Sequence, residues 1–326
     1  MIRLATIGTS AIVRTFLGVL RGVDGIAATV AYSRDLGRAH EFAAENGVAG
    51  ASADLDALLT SGEVDAFYIA SPNAVHHAQA RQVLRAGRHA FIEKPATLTA
   101  AEFAELIDDA AAHGAVVFEA MRSAYDPAFD LVRRLLPELG AVRAASLSYC
   151  QRSARYDRVL SGERVNIFDP ALGGGALNDL GVYAVSALVD LFGEPEDAAA
   201  VTIPLASGAD GAGAALLRYD GFAAQVAYSK ITASSRPSEI QGERATLEID
   251  HIAAPAQLTL RRIDGTADVH VLRDAAVNTG APELNMQFEI RRFLDLVAGA
   301  DAAPDHARTL AVLRTVERIR AQSQPA

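Results

Sequence analysis

The chain has 326 residues, half of them apolar, and a formal net charge of −10 at pH 7. This length allows two domains with separate cores. The acidic balance argues against nucleic-acid or acidic-membrane partners, which require clustered Lys and Arg. Because Cys150 is the single cysteine, the sequence excludes an intramolecular disulfide and a thiol-based metal cluster, and no metal site is expected.

The sequence also bears on the cellular location. Its first residues lack the long apolar stretch and small-residue cleavage site of a signal peptide. No run of about 18 uncharged apolar residues indicates a membrane span. We therefore expect a cytoplasmic protein without a membrane partner.

Up to about residue 121, short apolar runs alternate with helical patterns, which predicts a parallel sheet flanked by helices, as in a Rossmann dinucleotide-binding domain. Glycines directly follow the predicted helices, where a left-handed cap is favoured. The predicted strands are Arg3–Gly8, Ile26–Ser33, Ala66–Ala70, His89–Ile92 and Ala115–Glu119, with a weaker strand near Val48, and the predicted helices include Leu36–Asn46, Val75–Ala86 and Ala100–His113.

The first strand ends in a loop that partly matches the dinucleotide fingerprint G-x-G-x-x-G/A. Gly8 permits the tight turn, but Ser10 and Val13 occupy the second and third small-residue positions. The Ser10 hydroxyl can donate a hydrogen bond to phosphate in compensation. The amides of Ala11 and Ile12, at the helix start, can also face the phosphate.

The end of the second strand bears on the choice of cofactor. An acidic residue there would accept the ribose hydroxyls of NAD, whereas Ser33 and Arg34 suit a 2′-phosphate, with Arg38 one helical turn further on. NADP is therefore favoured over NAD. In the rival interpretation Arg34 is a surface charge and Asp35 caps the next helix, and both interpretations can hold together.

A lysine follows the strand His89–Ile92, in the sequence Glu93-Lys94-Pro95. Pro95 biases Lys94 towards extended geometry, which holds the ammonium at the carboxyl end of the strand. Ligands of open α/β sheets bind at that end. Lys94 can there anchor a substrate hydroxyl or stabilise negative charge that develops on it. The alternative is a surface lysine before a turn proline.

After Pro127, a helix (Ala128–Leu136) and a strand (Val142–Tyr149) lead to short alternating strands from Ala198 onwards. This texture predicts an α+β region with a mostly antiparallel sheet, half-buried by a helix. We expect one domain over residues 1–122 and a second over 123–326. The predicted later strands and helices are Ala214–Tyr219, Ala223–Ile231, Ser238–Gln241, Thr246–Ile249, Gln257–Ile263, Val269–Leu272, Glu283–Gly299 and His306–Gln322.

A glycine run from Gly173 to Gly175 leads into an apolar helix through Leu191. Asp179 and Tyr183 are four residues apart and are predicted to share one helix face. A carboxylate and a phenol facing a lysine suit proton transfer to and from an alcohol, because a nearby ammonium lowers the tyrosine pKa from about 10. Alternatively, Asp179 is a solvated charge and Tyr183 a core aromatic.

Together these motifs resemble the Gfo/Idh/MocA family of pyridine-nucleotide oxidoreductases along most of the chain. The form with tyrosine at 183 is most similar to the branch of dihydrodiol dehydrogenase, xylose dehydrogenase and glucose-fructose oxidoreductase. The resemblance implies a Rossmann domain followed by an α+β domain with an open-faced sheet, used for substrate binding and for a homodimer or higher homo-oligomer. The motifs that carry it are Ile7–Ile12, Ser71–His76, Glu93–Pro95, Gly174–Tyr183 and Phe118–Met121 followed by Pro127.

The resemblance implies hydride transfer between a nicotinamide and a hydroxyl-bearing carbon of a sugar, polyol or cyclic diol. Lys94, Asp179 and Tyr183 would be catalytic, with Tyr183 or, in reversed roles, Lys94 as the proton acceptor. His76 could instead be a packing or capping imidazole, and Arg122 could contact the substrate. The implied cofactor contacts are Gly8, Ser10, Ala11, Ile12, Ser33, Arg34, Arg38, Ser71, Pro72, Asn73, His76, Glu93, Lys94 and Arg122.

Two other functions stay open. A regulator on the same fold would bind NADP without turnover, but it would not need Lys94, Asp179 and Tyr183 together. A glycosidase that uses NAD for transient oxidation is disfavoured by the Ser33-Arg34 pair.

An arginine-rich segment precedes the glycine run. It could recognise a carboxylate or phosphate on the substrate, or be a solvated loop or subunit contact. Tyr156 and Phe168 are candidates for stacking against a sugar. The arginines are Arg152, Arg155, Arg158 and Arg164.

Overall fold

The computed structural model describes residues 1–273, 283 and 285–325. The chain divides into two compact units. Unit 1 comprises Met1–Arg122 and Pro282–Leu310, and unit 2 comprises Ser123–Ala281 and Ala311–Ala326. The expected boundary at residue 122 coincides with the first division, but residues 282–310, expected in the second domain, group with the first.

Most predicted elements are present with ends shifted by a few residues. The predicted helix Glu283–Gly299 begins in a segment that includes residue 284, which lies outside the described residues. In chain order the strands are β1 (Ile2–Ile7), β2 (Ile26–Tyr32), β3 (Gly50–Ser52), β4 (Ala66–Ile69), β5 (His89–Glu93), β6 (Val117–Ala120), β7 (Val142–Cys150), β8 (Asp197–Pro204), β9 (Asp210–Tyr219), β10 (Phe222–Ser229), β11 (Ser238–Gly242), β12 (Ala245–Ile249), β13 (Gln257–Arg262), β14 (Ala267–Val271) and β15 (Ser323–Pro325). The α-helices are α1 (Ala11–Leu20), α2 (Leu36–Glu45), α3 (Leu55–Thr60), α4 (His76–Arg85), α5 (Ala100–Ala112), α6 (Pro127–Leu135), α7 (Tyr156–Leu160), α8 (Val182–Phe192), α9 (Met286–Val297) and α10 (Ala303–Gln322).

Unit 1 contains, within the described residues, a parallel six-stranded sheet in the order β3-β2-β1-β4-β5-β6. This is the strand order of the Rossmann fold, so the predicted fold class is confirmed for this unit. Aromatic side chains form its core. The ring of Phe16 stacks on that of Tyr68 with the ring centroids 3.7 Å apart. The ring of Phe91 stacks on that of Phe293 in α9 with the centroids 4.7 Å apart. The second contact fixes α9 to unit 1.

Unit 2 contains, in the part of the chain that the structure describes, a nine-stranded sheet in the order β14-β13-β12-β11-β7-β10-β9-β8-β15. Most neighbours are antiparallel, as predicted, but β10 pairs with β7 and β15 with β8 in parallel. Along β8, Ala198 and Ala200 are buried, whereas Ala199 and Val201 are exposed. One face of the sheet at β8 is therefore covered and the other open.

The stretch Pro170–Phe192 in unit 2 is long and apolar enough to meet the length and composition expected of a membrane span, with a mean hydropathy of 1.3. However, 78% of its apolar window is buried inside the protein. It includes α8, whose residues from Val182 to Val189 are all buried. Burial in the core of unit 2 is a sufficient reason for its apolar composition.

Candidate active site

The loop after β1 makes a tight turn that leads into α1. Gly8 has φ 121°, and a Cβ atom there would lie 2.7 Å from the carbonyl oxygen of Ala70, so only glycine fits. Helix α1 begins at Ala11 with no acidic residue in its first turn. The Ser10 Oγ atom is buried and has no hydrogen-bond partner among the described residues. A dinucleotide pyrophosphate fits such a helix N-terminus, and Ser10 could donate to it.

The segment after β2 supports both interpretations made from the sequence. Asp35 accepts a hydrogen bond from the backbone N–H of Arg38 at 2.9 Å and thus caps α2. The Arg38 guanidinium donates to the Thr9 hydroxyl at 2.6 Å, which places a cation beside the glycine loop. Ser33 is half-buried and Arg34 is exposed. Asp35 therefore caps the helix, and the contact of Ser33, Arg34 and Arg38 with a 2′-phosphate stays a prediction.

His76 connects the segments that follow β4 and β5. The imidazole is completely buried, and its two nitrogens lie 3.0 Å from the Pro95 carbonyl oxygen and 2.8 Å from that of Ser71. Burial lowers the pKa of His76, and the two carbonyl contacts oppose this effect. These contacts match the packing interpretation. Its predicted cofactor contact, like those of Pro72 and Asn73, stays a prediction.

Lys94 directly follows β5, as expected from its motif. The preceding Glu93 is buried. Its carboxylate accepts one hydrogen bond from the Tyr68 hydroxyl at 2.5 Å and another from the Lys94 backbone N–H at 3.2 Å. Burial raises the pKa of Glu93, and the Lys94 charge and the Tyr68 hydrogen bond partly offset this. Thr99 begins α5 through a capping box with Glu102.

Two residues of α9 in this region were missed by the sequence analysis. Asn285, which precedes the helix, accepts a hydrogen bond from the buried Arg122 guanidinium at 2.7 Å. Glu289 is completely buried, and neither carboxyl oxygen has a hydrogen-bond partner within the described residues. Burial raises its pKa well above the ordinary value, and Glu93 raises it further, against the opposing charge of Arg122.

In unit 2, the glycine run lets a carboxylate cap the following helix. Gly175 has φ 140°, and a Cβ atom there would overlap the side chain of Asp210. Asp210 accepts a hydrogen bond from the Leu177 backbone N–H at 2.7 Å. Burial raises the pKa of Asp210, and this hydrogen bond opposes the effect. The glycine therefore provides the close approach that the cap requires.

Asp179 and Tyr183 lie in different kinds of turn. Residues Leu177–Gly181 form a π-helix, and α8 starts at Val182. The predicted regular α-helical face is thus interrupted by a wider turn, a feature that often marks functional sites. The Tyr183 side chain is buried, with its ring 5.5 Å from that of Tyr149. The Asp179 carboxylate is 37% exposed.

Asp179 forms an ion pair with Lys230, a residue that the sequence analysis did not identify. The Lys230 ammonium is buried and lies 5.6 Å from the centroid of the Phe168 ring. A count of the lysines would have drawn attention to Lys230. The chain has 30 lysine and arginine residues, and its two lysines are Lys94 and Lys230.

Comparison with protein families decides the class. Residues 2–121 match the oxidoreductase family with an NAD-binding Rossmann fold, and residues 131–248 match the Gfo/Idh/MocA C-terminal domain. The chain belongs to the Gfo/Idh/MocA family. The predicted family, its α/β fold and an NAD(P)-dependent oxidoreductase activity are confirmed.

Several known enzymes are similar to this chain over nearly its whole length. The scyllo-inositol 2-dehydrogenase (NADP(+)) of Bacillus subtilis is 41% identical over 297 residues, 91% of this chain and 88% of the relative. The D-xylose 1-dehydrogenase (NADP(+)) 2 of Haloferax volcanii is 30% identical, with coverages of 96% and 94%. A crystal structure of a 3-ketoreductase from Actinomadura kijaniata with NADP and TDP-benzene superposes with a TM-score of 0.87 at 25% identity, covering 99% of this chain and 98% of that one.

The arginine-rich segment of this Gfo/Idh/MocA protein is largely neutralised by its own acids. Ion pairs join Arg152 to Asp157 at 2.7 Å, Arg158 to Glu163 at 2.8 Å and Arg164 to Asp169 at 2.6 Å. The three arginine side chains are between 41% and 76% exposed. These pairs favour the solvated-loop interpretation over recognition of a substrate anion.

Proposed function

We propose that this oxidoreductase oxidises a secondary hydroxyl of a cyclic polyol, sugar or related diol, with NADP as the preferred cofactor. The observation that carries the proposal is a partly exposed Asp179 carboxylate, in a π-helical turn, four residues before the buried Tyr183 and just after a closely packed glycine loop. The 41% identity to an NADP-dependent scyllo-inositol dehydrogenase supports a cyclic polyol as the first choice of substrate.

The proposed roles follow from the chemistry of each side chain. The bound nicotinamide accepts the hydride from the carbinol carbon. Tyr183 takes the proton of the hydroxyl group, and Lys94 stabilises the negative charge that develops on its oxygen. Asp179 accepts a hydrogen bond from a substrate hydroxyl and so orients the ring. In the reverse direction, Tyr183 returns the proton to the carbonyl oxygen.

The proposed nucleotide contacts lie at the carboxyl ends of the strands of unit 1, where open α/β sheets bind ligands. The amides and the hydroxyl at the start of α1 would hold the pyrophosphate, and Ser33, Arg34 and Arg38 would hold the 2′-phosphate. The NADP-dependent relatives support this choice. The complete proposed set is Gly8, Ser10, Ala11, Ile12, Ser33, Arg34, Arg38, Ser71, Pro72, Asn73, His76, Glu93, Lys94 and Arg122.

The open face of the unit 2 sheet supports a homodimer or higher homo-oligomer. Val201, Ile203 and Leu216 on β8 and β9 are 48%, 44% and 56% exposed. Apolar side chains grouped on one sheet face are typical of a surface that a second copy covers. Light scattering should show a dimer or larger species that Leu216→Glu weakens, and a monomer at all concentrations would contradict the proposal. We also propose a cytoplasmic location, which cell fractionation would test.

A substrate panel tests the proposed activity. Purified protein would be incubated with inositols, aldoses, other polyols, uronates and diols, each with NADP and with NAD, while absorbance of the reduced nicotinamide is followed. We expect reduction of NADP by a neutral cyclic polyol or sugar. Binding of NADP without turnover of any compound would favour the regulator, and glycoside cleavage without net cofactor reduction would favour the glycosidase.

A further inference from the structure

Lys230 directly follows β10, and its backbone is fixed from two sides. Its N–H donates to the Gly211 carbonyl at 2.8 Å, and its own carbonyl accepts from the Ser153 N–H at 2.8 Å. The side chain is only 6% exposed, and the Phe168 ring lies 5.6 Å from the ammonium. The position of this ammonium is therefore set by the backbone at the end of β10 and by the Phe168 ring.

The ion pair of Lys230 with Asp179 is asymmetric. The ammonium side chain is 6% exposed, whereas the carboxylate side chain is 37% exposed. A buried charge is costly without a partner, so the lysine and the aspartate hold each other in place. The group that a ligand meets is the carboxylate, which accepts hydrogen bonds from hydroxyls and repels anions.

The composition of the chain points to the same residue. With only two lysines, the protein meets almost all its needs for positive charge with arginine. Lysine offers a compact ammonium where the planar arginine fork would need more space and a different geometry. One lysine belongs to the motif after β5, and the other pairs with the proposed catalytic aspartate.

We propose that Lys230 is a positioning residue that acts through Asp179. It holds the carboxylate outward, ready to accept a hydroxyl of a neutral polyhydroxylated substrate. The enzyme thereby selects neutral polyols and sugars over uronates and sugar phosphates. This inference rests on the proposed role of Asp179 as a substrate contact.

Kinetics of matched variants test the positioning role. Lys230→Met should lower kcat/KM for the neutral substrate about 10- to 100-fold, the usual loss for a charge-assisted hydrogen bond, and leave the Kd for NADPH unchanged. Lys230→Arg should restore part of this loss, since it restores the charge. In the Asp179→Asn background, Lys230→Met should lower kcat/KM little further, because both changes break the same ion pair. Arg218→Met, which breaks an exposed pair with Glu196, is the control.

Two results would overturn the inference. One is an unchanged kcat/KM in folded Lys230→Met, and the other is a fully additive loss in the double variant. The preference for neutral substrate over the matching uronate should fall in Asp179→Asn, because that change removes the negative charge that repels anions, and an unaltered preference would contradict the selection role.

A spectroscopic readout separates this inference from the proposed function. Isotope-labelled lysine gives two side-chain ammonium signals by NMR, which Lys230→Arg assigns. In Asp179→Asn, the Lys230 signal should shift. An unshifted Lys230 signal in Asp179→Asn would contradict the pairing of Lys230 with Asp179, even if the protein shows no turnover. A wild-type protein without nicotinamide-linked turnover overturns the proposed function instead.

If Lys230→Met does not fold, the NMR signals of the two lysine ammonium groups in the wild-type protein test the positioning role. Addition of the neutral polyol that the enzyme oxidises should shift the Lys230 signal, because the substrate hydroxyl binds the carboxylate that the ammonium contacts. A Lys230 signal that stays fixed at saturating polyol would overturn the positioning role.

Discussion

The buried lysine of unit 2 and the buried glutamates of unit 1 have different surroundings. In unit 2, the buried Lys230 ammonium has a dedicated counter-charge in Asp179. In unit 1, Glu93, Glu119 and Glu289 are all buried, and burial raises the pKa of each of them. Glu119 accepts hydrogen bonds from the Ala96 backbone N–H and the Thr309 hydroxyl, both at 3.0 Å. Glu289 accepts none from the described residues.

This difference indicates two uses of a buried polar group. The Lys230 ammonium holds the Asp179 carboxylate at a fixed place, which suits the orientation of a substrate. A buried carboxyl without a partner is most stable when neutral, so its charge depends on pH and on neighbouring cations. We therefore expect changes at the Asp179 and Tyr183 site of unit 2 to affect turnover and changes at Glu289 to affect the pH dependence of stability.

Loss of a single oxygen in unit 2 should greatly reduce turnover. Tyr183→Phe keeps the ring and its packing but removes the proposed proton carrier, and should lower kcat by roughly 10²- to 10⁴-fold with cofactor binding intact. Tyr219→Phe, which removes a buried hydroxyl that donates to the Gly193 carbonyl, is the matched control. Normal kcat in Tyr183→Phe would remove tyrosine from the mechanism and leave Lys94 as the candidate base.

Lys94→Met tests whether the lysine of unit 1 and the tyrosine of unit 2 serve one reaction. We expect a loss at least as large as that of Tyr183→Phe, because the alkoxide stabiliser is removed. The double variant should be little worse than the worse single variant, as for residues that act as a unit. Losses that multiply in single-turnover kinetics would show that the two residues act independently.

Change of one exposed arginine should have an intermediate effect, confined to unit 1. Arg34→Ala should weaken binding of NADPH about 10- to 100-fold and that of NADH far less, because a charge-assisted contact to phosphate contributes about 1.5–3 kcal/mol. Arg85→Ala, which breaks an exposed pair with Asp109, is the control. Fluorescence titration with both cofactors measures the effect, and equal losses for both would contradict a 2′-phosphate contact.

Much of this arrangement could be predicted from local sequence patterns, and only some of the failures have local causes. Strand β8 was missed because Ala199 and Val201 are apolar although exposed, which removes the alternation that marks a half-buried strand. The six-residue α3 was not predicted, because it spans fewer than two helical turns and shows no repeated apolar spacing. The pairing of Lys230 with Asp179 and the burial of Glu289 depend on tertiary contacts between residues distant in sequence, and no spacing rule encodes them.

The smallest predicted effect concerns stability and pH. Because the pKa of Glu289 is raised in the folded state, its contribution to stability is fully present below its ordinary pKa of 4.5 and is lost as pH rises through the folded value. Wild-type stability should therefore fall relative to Glu289→Gln as pH rises, by up to about 1.4 kcal/mol per pH unit. Denaturant unfolding across pH measures this, with Glu41→Gln on the exposed face of α2 as control. Parallel curves for wild type and Glu289→Gln would contradict a neutral Glu289.

Isotope transfer tests the central claim, direct hydride transfer from a hydroxyl-bearing carbon, most directly. The polyol or sugar that the panel identifies would be deuterated at the reacting carbon and incubated with NADP and the wild-type enzyme. The account predicts that the reduced cofactor gains one deuterium, detected by mass spectrometry, in step with the oxidised product. Reduced cofactor without deuterium, or conversion of substrate without net cofactor reduction, would contradict it.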